Sequence, residues 1–359
     1  MISLCSGWQF TESWSEAFLR GEEPGVPARL PHTVREIPLH YASPADYEMV
    51  CGYRRALEIP ESLRGRRLFL QFDGAAHIAA VYVNGRETLT HRCGYTAFRV
   101  EITDLVDYGG ENAVAVKLDC TENGSVPPFG FVIDYLTYGG LYREAWLDVR
   151  GESLIEDLFV YTPELDRLEA RLQLSDPARF VRLSVWDGDT CLVRELGRES
   201  FSLRVPGARP WLPDDPKRYR CLAEQLDTDG GVIDARETLF GFRTAVFQAD
   251  GFYLNGKKFF LRGLNRHQNY PYVGYAAPEH LQREDARILK EELQCTAVRT
   301  SHYPQSQYFI DECDRLGLLV FTEIPGWQHI GDEAWKDQAC ENVREMVLQY
   351  RNHPSIVLW

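Results

Sequence analysis

Residues 296–325 read TAVRTSHYPQSQYFIDECDRLGLLVFTEIP. TAVRTSH (296–302) predicts a strand, SQYFIDECDRLG (306–317) a helix ending on Gly317, and LLVFTEIP (318–325) a second strand. The pattern extends both ways. KFFLRGLN (258–265) reads as a strand and PEHLQREDARILKEEL (278–293) as an amphipathic helix, with Leu281, Ile288 and Leu289 on one face and Ala286 filling in. EAWKDQACENVREMVLQYRNH (333–353) reads as a further helix and SIVLW (355–359) as a buried strand. Strands apolar on both faces that alternate with helices predict a parallel sheet wrapped by helices, either a TIM barrel or a doubly wound sheet. No phosphate-binding glycine loop follows the first strand, which disfavours a nucleotide fold. Four strands are present where a closed barrel takes eight and about 250 residues, so residues 245–359 are expected to form the first half of a (β/α)8 barrel.

The chain before this region has a different rhythm. RRLFLQFDGA (66–75), AAVYVNGRETL (79–89) and NAVAVKLDC (112–120) are short alternating runs, and Asn84-Gly85 is a two-residue hairpin signal. Residues 1–152 are therefore expected to fold as an antiparallel jelly-roll β-sandwich. IEDLFVYTPE, ARLQLS, VRLSVWDGDT and YRCLAEQLDTDGGVIDARETLFGFR repeat the habit on a smaller scale, predicting an immunoglobulin-like β-sandwich over residues 153–244. The Pro-rich RPWLPDDPKRYRC (209–221) supplies a bend between its strands. The fold class is thus multidomain β plus α/β.

Composition narrows the function classes. The chain has 359 residues, 44% hydrophobic and 26% charged, an ordinary globular composition. A net charge of −14 argues against nucleic-acid and anionic-membrane surfaces, which need clustered Lys and Arg. No stretch approaches the ~20 apolar residues of a membrane helix. MISLCSGWQF at the start lacks a basic region followed by an apolar run, so no signal peptide is expected. Nine scattered cysteines with no Cys-x-x-Cys pair fit reduced thiols and a cytoplasmic location.

Active sites of barrels lie at the C-terminal ends of the strands. Those ends supply Asn265, Arg266 and His267, then Arg299, Ser301 and His302, then Glu323 with Trp327 just beyond. Singly, each reads better as a capping or salt-bridging group; three strand ends agreeing makes a site the better reading. Imidazoles and amides satisfy hydroxyls and an indole covers the apolar face of a pyranose, so the inventory suits a sugar. Glycosidases flank the scissile bond with two carboxyl groups, and only Glu323 lies in this layer.

LRGLNRH (261–267), VRTSHYP (298–304), CDRLGLLVFTEIPGW (313–327) and YRNHPSIVLW (350–359) resemble successive blocks of glycoside hydrolase family 2, which includes the β-galactosidases and β-glucuronidases. The order of jelly roll, immunoglobulin-like domain and barrel matches as well, so the resemblance covers the whole chain. It implies retaining hydrolysis at the non-reducing end of β-glycosides, without a cofactor. In the family, the segment resembling RNHPSIVLW leads into Ser-x-Gly-Asn-Glu, whose Glu is the acid/base, and the nucleophilic Glu lies later. Neither is among these residues, so the chain is expected to be truncated before both and inactive as given.

The resemblance further implies that His267 and His302 bind hydroxyls of the terminal sugar and that Arg299 orients the nucleophilic carboxylate. DYLTYGGLYR (134–143) is similar to a jelly-roll loop whose Asp reaches the barrel mouth, which makes Asp134 a site residue outside the barrel; a turn-capping Asp is the alternative. Some β-galactosidases of the family carry a Glu and a His past the third strand as magnesium ligands. Here Trp327 stands in place of that Glu while His329 matches the His, and no bound metal is expected. Asn269 replaces an acidic residue of many relatives. Three readings stay open: a β-galactosidase, a β-glucuronidase or β-galacturonidase, and a non-catalytic carbohydrate-binding protein. Each has a β-glycoside as its partner, and the resemblance also allows a homo-oligomer.

Overall fold

The computed structural model of the protein describes residues 1–38 and 43–359. Two antiparallel sheets open the chain. One has six strands in the order Val26–Ala28, Trp8–Thr11, Val50–Ile59, Gly110–Asp119, Ile78–Val83 and Arg86–His91. The other has four, in the order Ile2–Ser3, Ala145–Arg150, Arg67–Phe72 and Phe98–Glu101. Alternate side chains of each strand turn inward, as in Ile78–Val83, where Ala79, Val81 and Val83 are buried. They meet Trp8, Tyr53, Leu70 and Phe72 in one core. Asn84 and Gly85 take φ of 49° and 79°, the left-handed pair that a two-residue hairpin between Ile78–Val83 and Arg86–His91 requires.

A second, smaller sandwich follows. Ile155–Glu164, Arg167–Leu174 and Ser200–Arg204 face a sheet ordered Thr190–Gly197, Val181–Asp187, Tyr219–Leu226 and Val232–Phe240, over a core that includes Leu158, Leu168, Val185 and Phe240. The Pro-rich bend folds as the small hairpin of Trp211–Leu212 with Asp215–Pro216. From it Trp211 sends its Nε1–H across to Asp314 O at 2.9 Å.

After a three-stranded meander (Ala245–Gln248, Gly251–Leu254, Lys257–Lys258) come four parallel strands: Gly263–Asn265, Ala297–Arg299, Leu319–Phe321 and Ile356–Leu358. They neighbour one another in sequence order. Right-handed crossovers without a reversal of strand order place every helix on the same face, so the sheet is part of a barrel and not a doubly wound sheet. The helices are Glu279–Arg287, continued by a wider turn at Ile288–Glu292, then Gln307–Leu316 and Glu333–Tyr350. Ser306 caps the second helix by accepting from Tyr308 N. Gly317 ends it at φ 72°.

Four sequence expectations are corrected by the structure. The first strand covers only Gly263–Asn265 of the predicted 258–265, because Phe259 N stays bonded to Phe252 O in the meander. The first helix buries Gln282, Ala286 and Leu289, with Leu281 and Ile288 only partly covered. The stripe is turned because Gln282 Oε1 accepts from Arg266 inside the sheet–helix layer. The third helix stops at Tyr350, since Asn352 instead pairs with Leu158 and Val160 of the second sandwich. Nor are the strands buried on both faces throughout: Leu264 is 51% and Leu358 42% exposed, each on an edge strand of the four-stranded sheet.

Candidate functional site

The second and third strands bring their C-terminal residues side by side. Arg299 donates from Nε to Glu323 Oε2 at 2.7 Å and from Nη2 to Oε1 at 2.9 Å, a planar two-bond match. His302 Nδ1 lies 2.7 Å from the same Oε1. A carboxylate only accepts, so Nδ1 carries the proton and donates. Arg299 Nη2, 3.2 Å from that protonated Nδ1, is then a neighbour and not a hydrogen-bond donor to it. In a neutral imidazole an Nδ1–H so placed fixes the tautomer and leaves Nε2 with a lone pair.

His267 stands beside it, ring centroids 5.4 Å apart and nearly perpendicular. Its Nδ1 is 3.2 Å from the Tyr303 hydroxyl. Burial, then His302 and Arg266, lower the His267 pKa, while Asp134 and Glu323 pull the other way. The outcome favours the neutral imidazole. Among the described residues neither Nε2 of this pair has a hydrogen-bond partner.

Trp327 leans on His302 with centroids 4.3 Å apart. The loop of the first sandwich closes the cluster from above. Asp134 is exposed there and lies near enough to His267 to raise its proton affinity. Tyr135 packs against His267, His302, Tyr303 and Trp327, with centroids between 5.4 and 6.3 Å.

The structure thus brings Asp134, His267, Arg299, His302, Glu323 and Trp327 together. Asn265 is exposed at the end of the first strand. Arg266 is not part of the cluster. It points into the helix layer, buried, bonded to Asp285, Gln282 and Gln305, with its guanidinium 4.2 Å over the Phe309 ring. Arg266 and His267 follow the strand Gly263–Asn265 and turn apart, Arg266 into the helix layer and His267 towards His302. Asn269 reaches the Tyr138 hydroxyl at 3.4 Å.

Sequence reasoning missed Tyr135 and Tyr303. Both lie inside motifs already singled out, DYLTYGGLYR and VRTSHYP, and the available signal was an aromatic beside each candidate polar residue. Tyr303 is fully buried and stacks on Tyr95 of the first sandwich at 4.4 Å.

The residues past the third strand do not suit a magnesium ion. His329 packs edge-on against Trp335, and Trp327 brings no oxygen ligand. Among the described residues, the cluster of ligand-type atoms is Asp311, Asp314 and His353 in the helix layer. There His353 Nδ1 donates to Asp314 at 2.6 Å and Ser355 N to the other oxygen of that carboxylate at 3.0 Å, which satisfies the group internally.

Three family models match the chain in succession. One described as the sugar binding domain of glycosyl hydrolases family 2 matches residues 30–149, one for glycosyl hydrolases family 2 matches 155–243, and one for its TIM barrel domain matches 246–359. A beta-galactosidase of Thermoanaerobacter pseudethanolicus is 40% identical over 347 residues, covering 92% of this chain and 47% of that protein. A beta-glucuronidase of Bacteroides fragilis is 33% identical, covering 100% and 55%. The crystal structure of Bacteroides uniformis beta-glucuronidase superposes with a TM-score of 0.90 at 27% identity, covering 99% of this chain and 46% of that one. The chain spans about half the length of the curated relatives it matches.

Proposed function

The chain belongs to glycosyl hydrolase family 2, and from that membership we propose that it holds the terminal sugar for a retaining β-galactosidase acting at the non-reducing end of β-glycosides. The observation that carries this reading is the pair of imidazoles. His302, its Nδ1–H given to Glu323, offers an accepting Nε2. His267, in the tautomer that accepts at Nδ1 from the Tyr303 hydroxyl, offers a donating Nε2–H. A sugar hydroxyl both donates and accepts, so the two nitrogens complement it. Tyr135 and Trp327 cover the apolar face of the ring, and Asp134 adds a further acceptor.

In this reading residues 1–152 form the sugar-binding sandwich, 153–244 the immunoglobulin-like one and 245–359 the partial barrel. Retaining hydrolysis uses one carboxylate as nucleophile and a second as acid/base, about 5 to 5.5 Å apart. Glu323 is engaged by Arg299 and His302 and takes neither role. The family's two catalytic glutamates are not among these 359 residues, so turnover by them alone is expected to be absent. A cytoplasmic location belongs to the same reading and is supported by nine unpaired thiols. No helix of the described residues is long and apolar enough to cross a membrane.

A β-glucuronidase is the second reading, favoured by the relatives and solved structures that carry that name. Calorimetric titration with phenyl thio-β-galactoside and phenyl thio-β-glucuronide separates the two. Tighter binding of the galactoside, abolished by His267→Ala and by His302→Ala, is the expected result. Binding that survives both substitutions would overturn the site, and hydrolysis of a chromogenic β-galactoside by this chain would overturn the placement of the chemistry outside it.

A further inference from the structure

We propose that Arg143 is a positioning residue of the sugar cleft, whose buried guanidinium sets the spacing of the two barrel loops that carry His267 and His302. The inference rests on the reading of those histidines as sugar-holding groups.

Arg143 comes from the first sandwich, at the end of the loop that also supplies Asp134 and Tyr135. It is 4% exposed. Nη1 donates to Tyr95 O at 2.8 Å and to Asp73 O at 3.2 Å, both in the sandwich. Nη2 donates to Gln268 Oε1 at 3.1 Å and to Pro304 O at 3.0 Å, both in the barrel. Gln268 directly follows His267, and Pro304 lies two residues after His302. One planar group therefore ties the residue behind each histidine to a common frame.

A second path runs in parallel. Tyr95, whose carbonyl Arg143 holds, stacks on Tyr303, and the Tyr303 hydroxyl meets His267 Nδ1. Both paths end on the same imidazole.

Docking of the sandwich on the barrel does not depend on Arg143. His91 and Thr96 bind Glu345, Trp335 Nε1 donates to Phe129 O, and the Tyr275 hydroxyl donates to Leu136 O. The four acceptors of Arg143 are all neutral oxygens, so the group acts through geometry and not as half of a carboxylate pair. A lysine presents one compact ammonium and cannot reach four acceptors laid out for a planar fork.

Histidine side-chain NMR on the 13C-histidine-labelled chain tests this, using Arg143→Lys and, for the barrel side alone, Gln268→Met. Both variants are expected to move the ring resonances of His267 and His302 while leaving that of the exposed His280 in place. Phenyl thio-β-galactoside affinity should fall on the order of tenfold or more, with a melt that stays cooperative. Unmoved His267 and His302 resonances in a folded variant would overturn the proposal and leave Arg143 a merely structural residue. Should Arg143→Lys fail to fold, Gln268→Met decides by the same readout. A parent chain that binds no thiogalactoside counts against the sugar-holding reading, whereas the resonance shifts judge the positioning independently.

Discussion

Arg299 and Glu323, from adjacent parallel strands, face each other through two hydrogen bonds of 2.7 and 2.9 Å, and the carboxylate so held fixes the proton of His302. The Arg299 side chain is 42% exposed, so the pair itself adds about 1 kcal/mol or less to stability. Glu323→Gln is therefore expected to lower the melting temperature slightly. Thiogalactoside binding should fall far more, because the amide can offer an N–H to Nδ1 and reverse the tautomer. Melting curves and titration calorimetry on one preparation check the split; an equal loss in both would contradict it.

His77 is fully buried in the first sandwich, edge-on to Phe129, and burial holds its pKa down to about 4. The unfolded value is near 6.5, so between these values the unfolded chain binds more protons and stability falls as pH falls. The loss reaches about 3 kcal/mol from this group below pH 4, at about 1.4 kcal/mol per pKa unit. His77→Gln should flatten the dependence of unfolding free energy on pH between 6.5 and 4, as read by urea denaturation.

Glu144 behaves in the opposite sense. Burial, with Asp73 and Glu279 adding to it, raises its pKa from 4.5 to about 7. The folded chain binds the extra proton, so this contribution is full below pH 4.5 and is lost as pH rises to 7. Glu144→Gln is expected to stabilise the chain by about 1 to 3 kcal/mol at pH 8 and to change little at pH 4. Equal effects at both pH values would contradict the titration.

Gly317 closes the helix Gln307–Leu316 at φ 72°, with the Pro213 backbone directly where a Cβ would stand. Gly317→Ala combines left-handed strain with a clash against main chain that has little room to move, at a cost of about 2 kcal/mol or more. Gly256, at φ 76° with open space around it, is the control. Gly256→Ala meets the strain without the clash and should cost about 1 kcal/mol.

The parallel sheet presents two unpaired edges among the described residues, Gly263–Asn265 and Ile356–Leu358. Phe260 is 81% exposed and Trp359 47% exposed. Open edges with apolar side chains associate, so sedimentation velocity is expected to show concentration-dependent self-association of this chain. Phe260→Ser with Trp359→Ser should reduce it without lowering the melting temperature. A monomer at all concentrations would contradict the expectation.

What the sequence determined by itself were the features set by neighbours along the chain. The strand–helix alternation of 296–325, the Asn84-Gly85 hairpin and the stop at Gly317 follow from periodicity and from φ angles that few residues tolerate. The strand ends likewise placed His267, Arg299, His302 and Glu323 in one layer. Tertiary structure decided which side each residue faces and what comes from another domain. Leu281 and Ile288 gave up the buried stripe to Gln282 because Arg266 needed an acceptor inside the helix layer, and the same bonds carried Arg266 away from the mouth. Tyr135 and Arg143 lie more than a hundred residues before the histidines they touch or brace. No local pattern encodes such a contact, since it exists only once the first sandwich has docked on the barrel.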